Sequence, residues 1–443
     1  MKQQSNRRMS AARMWLLVWG LGLVAQICWN LENMWFNSFV YAKIGKDPSI
    51  IMGMMICSAL ATTFSTFFFG TWSDRTGNRR TFISVGYIIW GIFTIAFGCT
   101  EFIPKQYYTL AAVMVVLADT VMSFFGSMAN DSTYNAWTND IMTDENRGQI
   151  GAALGTLPIL GTLLGTLLGA QLVGTHDNYM RLFLVIGGAV SVFGIISLFL
   201  MHKSDDVAPS KRGTFWHQFG SVFNFKEFGK RHELVLVFLS LMVFFIAYDA
   251  IAAQLNNYLI YYLGFNASKI GVIEAVPMVV AMLAAIPSSR AINHNKHFYV
   301  ALTGVLALAL ACFLAAPIHP DDVNPHRFFN GYLWLCVLLL TIGNIVFVQV
   351  MRVWAKQLYP KDSRGQFEGI WILFFVLFPM IGGGLISNGI VRTSGEIYHD
   401  ELSGQIGYVP NGNLFLVAGI IVLLTIIPLV FAKRQFDKRV NEG

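Results

Sequence analysis

Trp137-Thr-Asn-Asp-Ile-Met-Thr-Asp-Glu-Asn-Arg147-Gly-Gln149 joins one long apolar segment to the next. Its frame returns at Trp354-Ala-Lys-Gln-Leu-Tyr-Pro-Lys-Asp-Ser-Arg364-Gly-Gln366, 217 positions later in a chain of 443 residues. In both copies a Trp stands ten positions before Arg-Gly-Gln. A chain that echoes itself at half its length reads as two copies of one unit. The same offset carries Glu32, inside the first apolar segment, onto Asp249, inside the segment that opens the second half.

The segments around these copies set the class. Hydrophobic residues make up 55% of the chain and charged residues 13%, against roughly 25% charged in an ordinary soluble domain. Charge-free runs such as Met14–Leu31, Pro48–Ser73, Gly148–Thr175 and Phe328–Met351 are long enough to cross a bilayer, which takes ~20 apolar residues per helix. The pattern predicts twelve helices, at 12–42, 48–71, 81–100, 107–138, 148–173, 181–202, 233–263, 268–288, 297–317, 328–356, 365–390 and 413–433. They are numbered helix 1 to helix 12 below. The expected organisation is an all-α membrane protein with a six-helix bundle over 1–202, a polar linker over 203–232 carrying a short surface helix, and a second six-helix bundle over 233–443. A soluble protein could not hide this much apolar surface.

With both termini placed in the cytoplasm, most of the 31 Lys and Arg residues fall in the loops on that side, as the positive-inside bias requires. The net charge of +6 therefore reports topology and contact with anionic lipid. The basic residues are spread over seven loops with no stripe or binding module, so nucleic acid is not an expected partner. The five cysteines lie in apolar segments and form no metal or disulfide spacing. The basic, then apolar N-terminus has no small-residue cleavage site and reads as a retained first helix. No nucleophile elbow, phosphate loop or metal-ligand motif is present. The chain is not expected to be an enzyme or to hold a cofactor, and without an ATP site any transport would run on a gradient.

Polar residues inside the spans are the candidate sites, because an acid near the bilayer centre costs roughly 2.5–3.5 kcal/mol. In helix 1, Asn30, Asn33 and Asn37 recur at helical spacing and are expected to share a face, with Glu32 one residue's rotation away. Helix 4 carries Asp119 and then Asn130, Asp131 and Tyr134, which can line one wall. Helix 7 carries Asp249 and Asn257; helix 8 is interrupted by Glu274; helix 10 carries Asn344. Glu32, Asp131 and Asp249 are the candidate ion-coupling acids. In helix 5, Gly151, Gly155, Gly161, Gly165 and Gly169 form a small-residue stripe for close packing. The segment 395–412 alternates around Ser403-Gly404 and reads as a hairpin.

Between helices 2 and 3 the chain reads Gly70-Thr-Trp-Ser-Asp74-Arg75-Thr-Gly77-Asn-Arg79-Arg80. This resembles the loop 2–3 signature of the major facilitator superfamily, where the loop fixes the inner gate by pairing with the other half. The resemblance implies the major facilitator fold: two pseudo-symmetric six-helix bundles with helices 1, 4, 7 and 10 lining a central cavity. It makes Gly70, Asp74, Arg75, Gly77, Arg79 and Arg80 a gating loop, with Arg147 and Arg364 opening helices 5 and 11. Pro287–His297 is the corresponding second-half loop, without the Asp-Arg-x-Gly core.

Within that superfamily the acid on helix 1, the polar end of helix 4 and the Asp-x-x-Arg entries into helices 5 and 11 are most similar to the glycoside–pentoside–hexuronide:cation symporters, the melibiose permease group. That implies sugar contacts from Glu32, Asn130 or Asp131, and Tyr134. The group's sodium site uses acids on helix 2, and helix 2 here has none, so H+ is expected over Na+ as coupling cation. The expected function is a proton-coupled symporter of a sugar or glycoside in the plasma (inner) membrane, acting as a monomer. The alternatives are an efflux antiporter of drugs or metabolites in the same superfamily, or a carrier of lipids, peptides or organic acids, or a transport-like sensor.

Overall fold

In the computed structural model, residues 10–202, 208–209, 213–220, 225–327, 329–359 and 364–442 are described. Among the described residues, twelve helices are long and apolar enough to span a bilayer. Helices 1 to 6 are Ala11–Ile44, Pro48–Thr76, Arg79–Phe102, Lys105–Asp140, Arg147–Val173 and Tyr179–Leu200. Helices 7 to 12 are His232–Tyr262, Ala267–Asn293, His297–Ala315, Gly331–Leu358, Phe367–Ser394 and Asn413–Arg439. All twelve sequence-predicted helices are present. The chain is a multi-pass membrane protein with large apolar side chains such as Leu60, Ile92, Val113, Phe199 and Leu283 on its surface, as a lipid-facing exterior requires.

Short polar side chains start several helices by accepting first-turn amides: Asn78 from Thr81 at 3.1 Å, Asn178 from Arg181 at 3.1 Å and Asn266 from Lys269 at 3.2 Å. Helix 2 ends at Gly77, whose φ of 70° lies in the left-handed region, a conformation open to glycine at no side-chain cost. Helix 8 extends through Pro287 to Asn293. The counterpart loop expected over Pro287–His297 is therefore mostly helix, because the prolines are absorbed where neighbouring groups satisfy the freed backbone.

The chain divides into two compact units. One comprises Met1–Glu32, Cys57–Val173 and Asn178–Gly220; the other comprises Asn33–Ile56, Gly174–Asp177 and Ser221–Gly443. Divisions between the units fall inside helices 1 and 2 and, at 220–221, inside the 203–232 linker.

In the first unit, helix 5 lies against helix 1. A Cβ on Gly161 would come within 2.2 Å of Gln26 Cβ and 2.9 Å of the Gln26 backbone carbon. Gly165 likewise abuts Asn30, but Gly151 and Gly155 face open space. The glycine stripe is a packing surface over its second part only. Gly161→Leu is expected to destabilise the protein by about 1–3 kcal/mol through overpacking. Gly151→Ala and Gly155→Ala, in an open helix face, should stabilise it by about 0.5–1 kcal/mol. Thermal unfolding of the three variants checks this, and a neutral Gly161→Leu would refute the contact.

In the second unit the expected hairpin is present, with Glu396–Asp400 antiparallel to Gln405–Val409. It grips the turn after helix 1. Asp400, fully buried, accepts the Lys46 amide at 3.2 Å and the Ser403 hydroxyl at 2.7 Å, and the Lys46 ammonium lies 3.6 Å away. The Tyr408 amide donates to the Lys46 carbonyl at 2.8 Å. Burial alone would raise the Asp400 carboxyl, but the bonds from Ser403 and Lys46 and the ammonium outweigh it and hold it below the usual range. A depressed carboxylate stabilises above its unfolded pKa and is lost as pH falls through the native value. The clasp should thus be indifferent to pH above about 5. Asp400→Asn should accelerate hydrogen exchange at the Tyr408 amide; an unchanged rate would show that the carboxylate does not hold the clasp.

Candidate functional site

Helix 1 is not α-helical throughout. Leu31–Phe36 and Val40–Ile44 are π-helical, as are Ser127–Tyr134 in helix 4, Tyr258–Tyr262 in helix 7 and Leu373–Leu377 in helix 11. A π turn inserts an extra residue and rotates everything after it, and such turns concentrate at functional sites. The expected common face of Asn30, Asn33 and Asn37 is therefore broken. Asn30 donates to Thr166 of helix 5 at 3.4 Å, and Asn33 is exposed. Asn37 is buried and gives its carbonyl to Asn257 at 3.4 Å.

In the first unit the π turns bring helices 1 and 4 together around Ser123. Its hydroxyl oxygen lies 2.8 Å from Glu32 Oε1 and 2.8 Å from the Asp119 carbonyl oxygen. Glu32 Oε2 and Asp119 Oδ1 are enclosed and have no hydrogen-bond partner among the described residues. Asp119 is 1% exposed and lies within electrostatic reach of Glu32. Asp131, half-buried, accepts from Ser127 at 3.0 Å and also acts on Glu32. Three acids thus gather on two helices. None of them forms an ion pair among the described residues.

Asn130 and Tyr134, expected on a substrate wall, are committed elsewhere. The Asn130 amide donates to Tyr87 Oη at 3.1 Å and its oxygen accepts from Trp29 at 3.4 Å. Tyr134 is buried and donates to the Val18 carbonyl at 2.6 Å. Both tie helix 4 to its neighbours, because a buried polar group must find a partner.

In the second unit Asp249 is half-buried and forms no hydrogen bond or ion pair through its side chain among the described residues. Helix 11 passes so closely that a Cβ on Gly383 would stand 2.8 Å from Asp249 Cβ. Tyr248 lies within electrostatic reach of Asp249, Glu274 and Asn344, and Asn344 keeps an enclosed, unpaired oxygen. Glu274 thereby joins the group, although the sequence marked it only as an interruption of helix 8. Asn257 does not join: it is fully buried and donates to Gln254 at 2.9 Å as well as to Asn37.

The loop after helix 2 is built around Arg79, which is 5% exposed. Its guanidinium donates to Ser73 at 2.6 Å, Asp74 at 2.7 Å and Asp140 at 2.9 Å. All three partners belong to its own unit, so this arginine braces helices 2, 3 and 4 together. Arg75 bonds Gly213 and Gln218 of the linker region at 2.9 and 3.0 Å, and Arg80 bonds the Leu198 carbonyl at 2.7 Å. Gly70 faces Ser132 at ordinary contact distance. Arg147 pairs with Asp144 at 3.3 Å in full solvent. Arg364 begins its helix, but its side chain and Asp362 lie outside the described residues.

The Major Facilitator Superfamily family model matches residues 14–321 and 237–443. No curated protein matches the sequence significantly. Among solved structures, a mutant of the nucleoside transporter NupG superposes with TM-score 0.73 at 14% identity, covering 94% of this chain and 99% of that one. A bacterial homolog of the human lysosomal transporter Spinster, inward-facing and unoccupied, gives 0.72 at 12% identity over 97% and 98%. A D-xylose–proton symporter gives 0.65 at 14% identity over 94% and 97%. At these identities the likeness is one of fold.

Proposed function

Because this chain belongs to the Major Facilitator Superfamily, we propose that the transporter moves a sugar or glycoside together with a proton by alternating access. The observation that carries this reading is Glu32. It sits inside a membrane span, held by one serine hydroxyl, with Asp119 and Asp131 near it and no basic partner among the described residues. An acid in hydrocarbon is costly and is retained where it binds an ion, a proton or a substrate. A carboxyl without a fixed counter-cation can take up and release a proton at little structural cost. The amide of Asn344, the phenol of Tyr248 and the carboxyl of Asp249 supply donors and acceptors of the kind sugar hydroxyls use. Both termini are assigned to the cytoplasm on the distribution of its basic residues, and the plasma membrane is proposed as its location.

Proteoliposomes with an imposed pH gradient and a panel of labelled sugars test the proposal. Gradient-dependent uptake of one or more sugars is expected, abolished by a protonophore. If no sugar moves while a lipophilic cation is expelled, the chain is an efflux antiporter instead.

A further inference from the structure

A cavity of about 490 Å³ opens where helix 7 begins, helix 10 ends and helix 12 runs past its apolar stretch. Its polar lining comes from Arg231, His232, Glu233, Gln435, Lys438 and Arg439, with Leu358 among its apolar walls. All belong to the second unit. Glu233 is held by three hydrogen bonds. Its two oxygens take Arg439 Nε at 2.8 Å and Nη2 at 3.0 Å, and Trp354 Nε1 adds a third bond at 2.7 Å. That bidentate pairing neutralises Arg439 and fixes it in place.

Two cations remain. Arg231 stacks its guanidinium 5.7 Å over the Phe367 ring, and Glu227, on which it acts electrostatically, is already bonded to Lys230 at 2.6 Å. Neither Arg231 nor Lys438 forms a salt bridge among the described residues. They come from two different helices and line the same space. Helix 7 also starts there without any side-chain cap, so the positive end of its dipole adds to the same field. The cavity therefore carries a surplus of two positive charges over walls that are partly leucine.

We propose that this cavity is a binding site for a phosphate diester, and that the occupant is the headgroup of an anionic phospholipid. Two points favour lipid over free phosphate. The site stands at the ends of three membrane-spanning helices, at the depth where headgroups lie, and basic pockets between such helices bind anionic headgroups. Its leucine walls, Leu234 and Leu358, suit the glycerol and upper acyl carbons and offer nothing to inorganic phosphate.

The experiment uses the purified full-length protein in neutral detergent, with bound lipid counted by native mass spectrometry. The probes are phosphatidylglycerol, phosphatidylcholine and inorganic phosphate. Wild type should retain phosphatidylglycerol at least tenfold better than phosphatidylcholine. Arg231→Gln combined with Lys438→Gln should erase that preference, while Lys438→Arg should keep it and so exclude a folding defect as the cause. Equal retention of the two lipids by wild type, or an undiminished preference in the double variant, would overturn the proposal. Inorganic phosphate displacing phosphatidylglycerol at equal concentration would overturn the assignment to lipid.

Discussion

Glu32→Gln is expected to lower proton-driven accumulation of the transported sugar at least tenfold while exchange of labelled for unlabelled sugar continues. Gln keeps the volume and can still accept the Ser123 hydroxyl at the position of Oε1. It removes only the ability to take up and release a proton. A carrier so altered should still cycle when loaded, but it no longer gathers energy from the pH gradient. Asp119 extends the test. Its enclosed Oδ1 has no hydrogen bond among the described residues, and Asp119 lies within electrostatic reach of Glu32. Within that reach, a change at one carboxyl is felt at the other. Asp119→Asn should therefore shift the pH at which uptake is half-maximal, whereas a merely structural role would lower uptake equally at every pH. Unchanged accumulation in Glu32→Gln would take Glu32 out of coupling.

The second large effect is on stability. Arg79→Met should destabilise the protein by about 3 kcal/mol, because removing one member of a buried ion pair leaves the other uncompensated. Here one guanidinium serves Ser73, Asp74 and Asp140. The two acids are partly exposed, at 46% and 25% of their side chains, and water relieves some of the penalty, so the value falls at the lower end of the range for buried pairs. Arg79→Lys should recover little of the loss, since one ammonium cannot reproduce the three-way fork. Arg147→Met is the control: its pair with Asp144 is solvent-exposed and should contribute less than about 1 kcal/mol. Thermal unfolding in detergent reads all three. Equal melting temperatures for Arg79→Met and Arg147→Met would show that the buried fork does not hold the bundle.

Much of the fold was legible because each span carries its own evidence. An apolar run of ~20 residues has one low-energy arrangement in a bilayer, and that is independent of what it packs against. Asn78, Asn178 and Asn266 mark helix starts for the same local reason. The gating-loop residues were legible as a motif, but their partners were not. The structure gives Arg79 ion pairs with Asp74 and Asp140. Asp140 lies in the 137–149 stretch with no role assigned from sequence; three-dimensional proximity made it a partner.

The site divides along the same line. Residue type alone picked out Glu32, Asp131 and Asp249, since the cost of an acid in hydrocarbon does not depend on its neighbours. Which polar residues surround those acids depended on helical phase. The π turns in helices 1, 4 and 7 change that phase, and no residue in them announces a change of hydrogen-bond register. So Asn33 and Asn37 left the face that their spacing assigned them. Tyr134 and Asn257 closed on backbone carbonyls, while Asp119 and Glu274 came into the acid groups. The sequence by itself determined that this chain spans a membrane twelve times and keeps acids within those spans, because both follow from transfer energies of single segments and side chains. Tertiary structure decided which of those polar groups satisfy one another and which stay unpaired, because that is settled by rotation and close approach of helices distant in the chain.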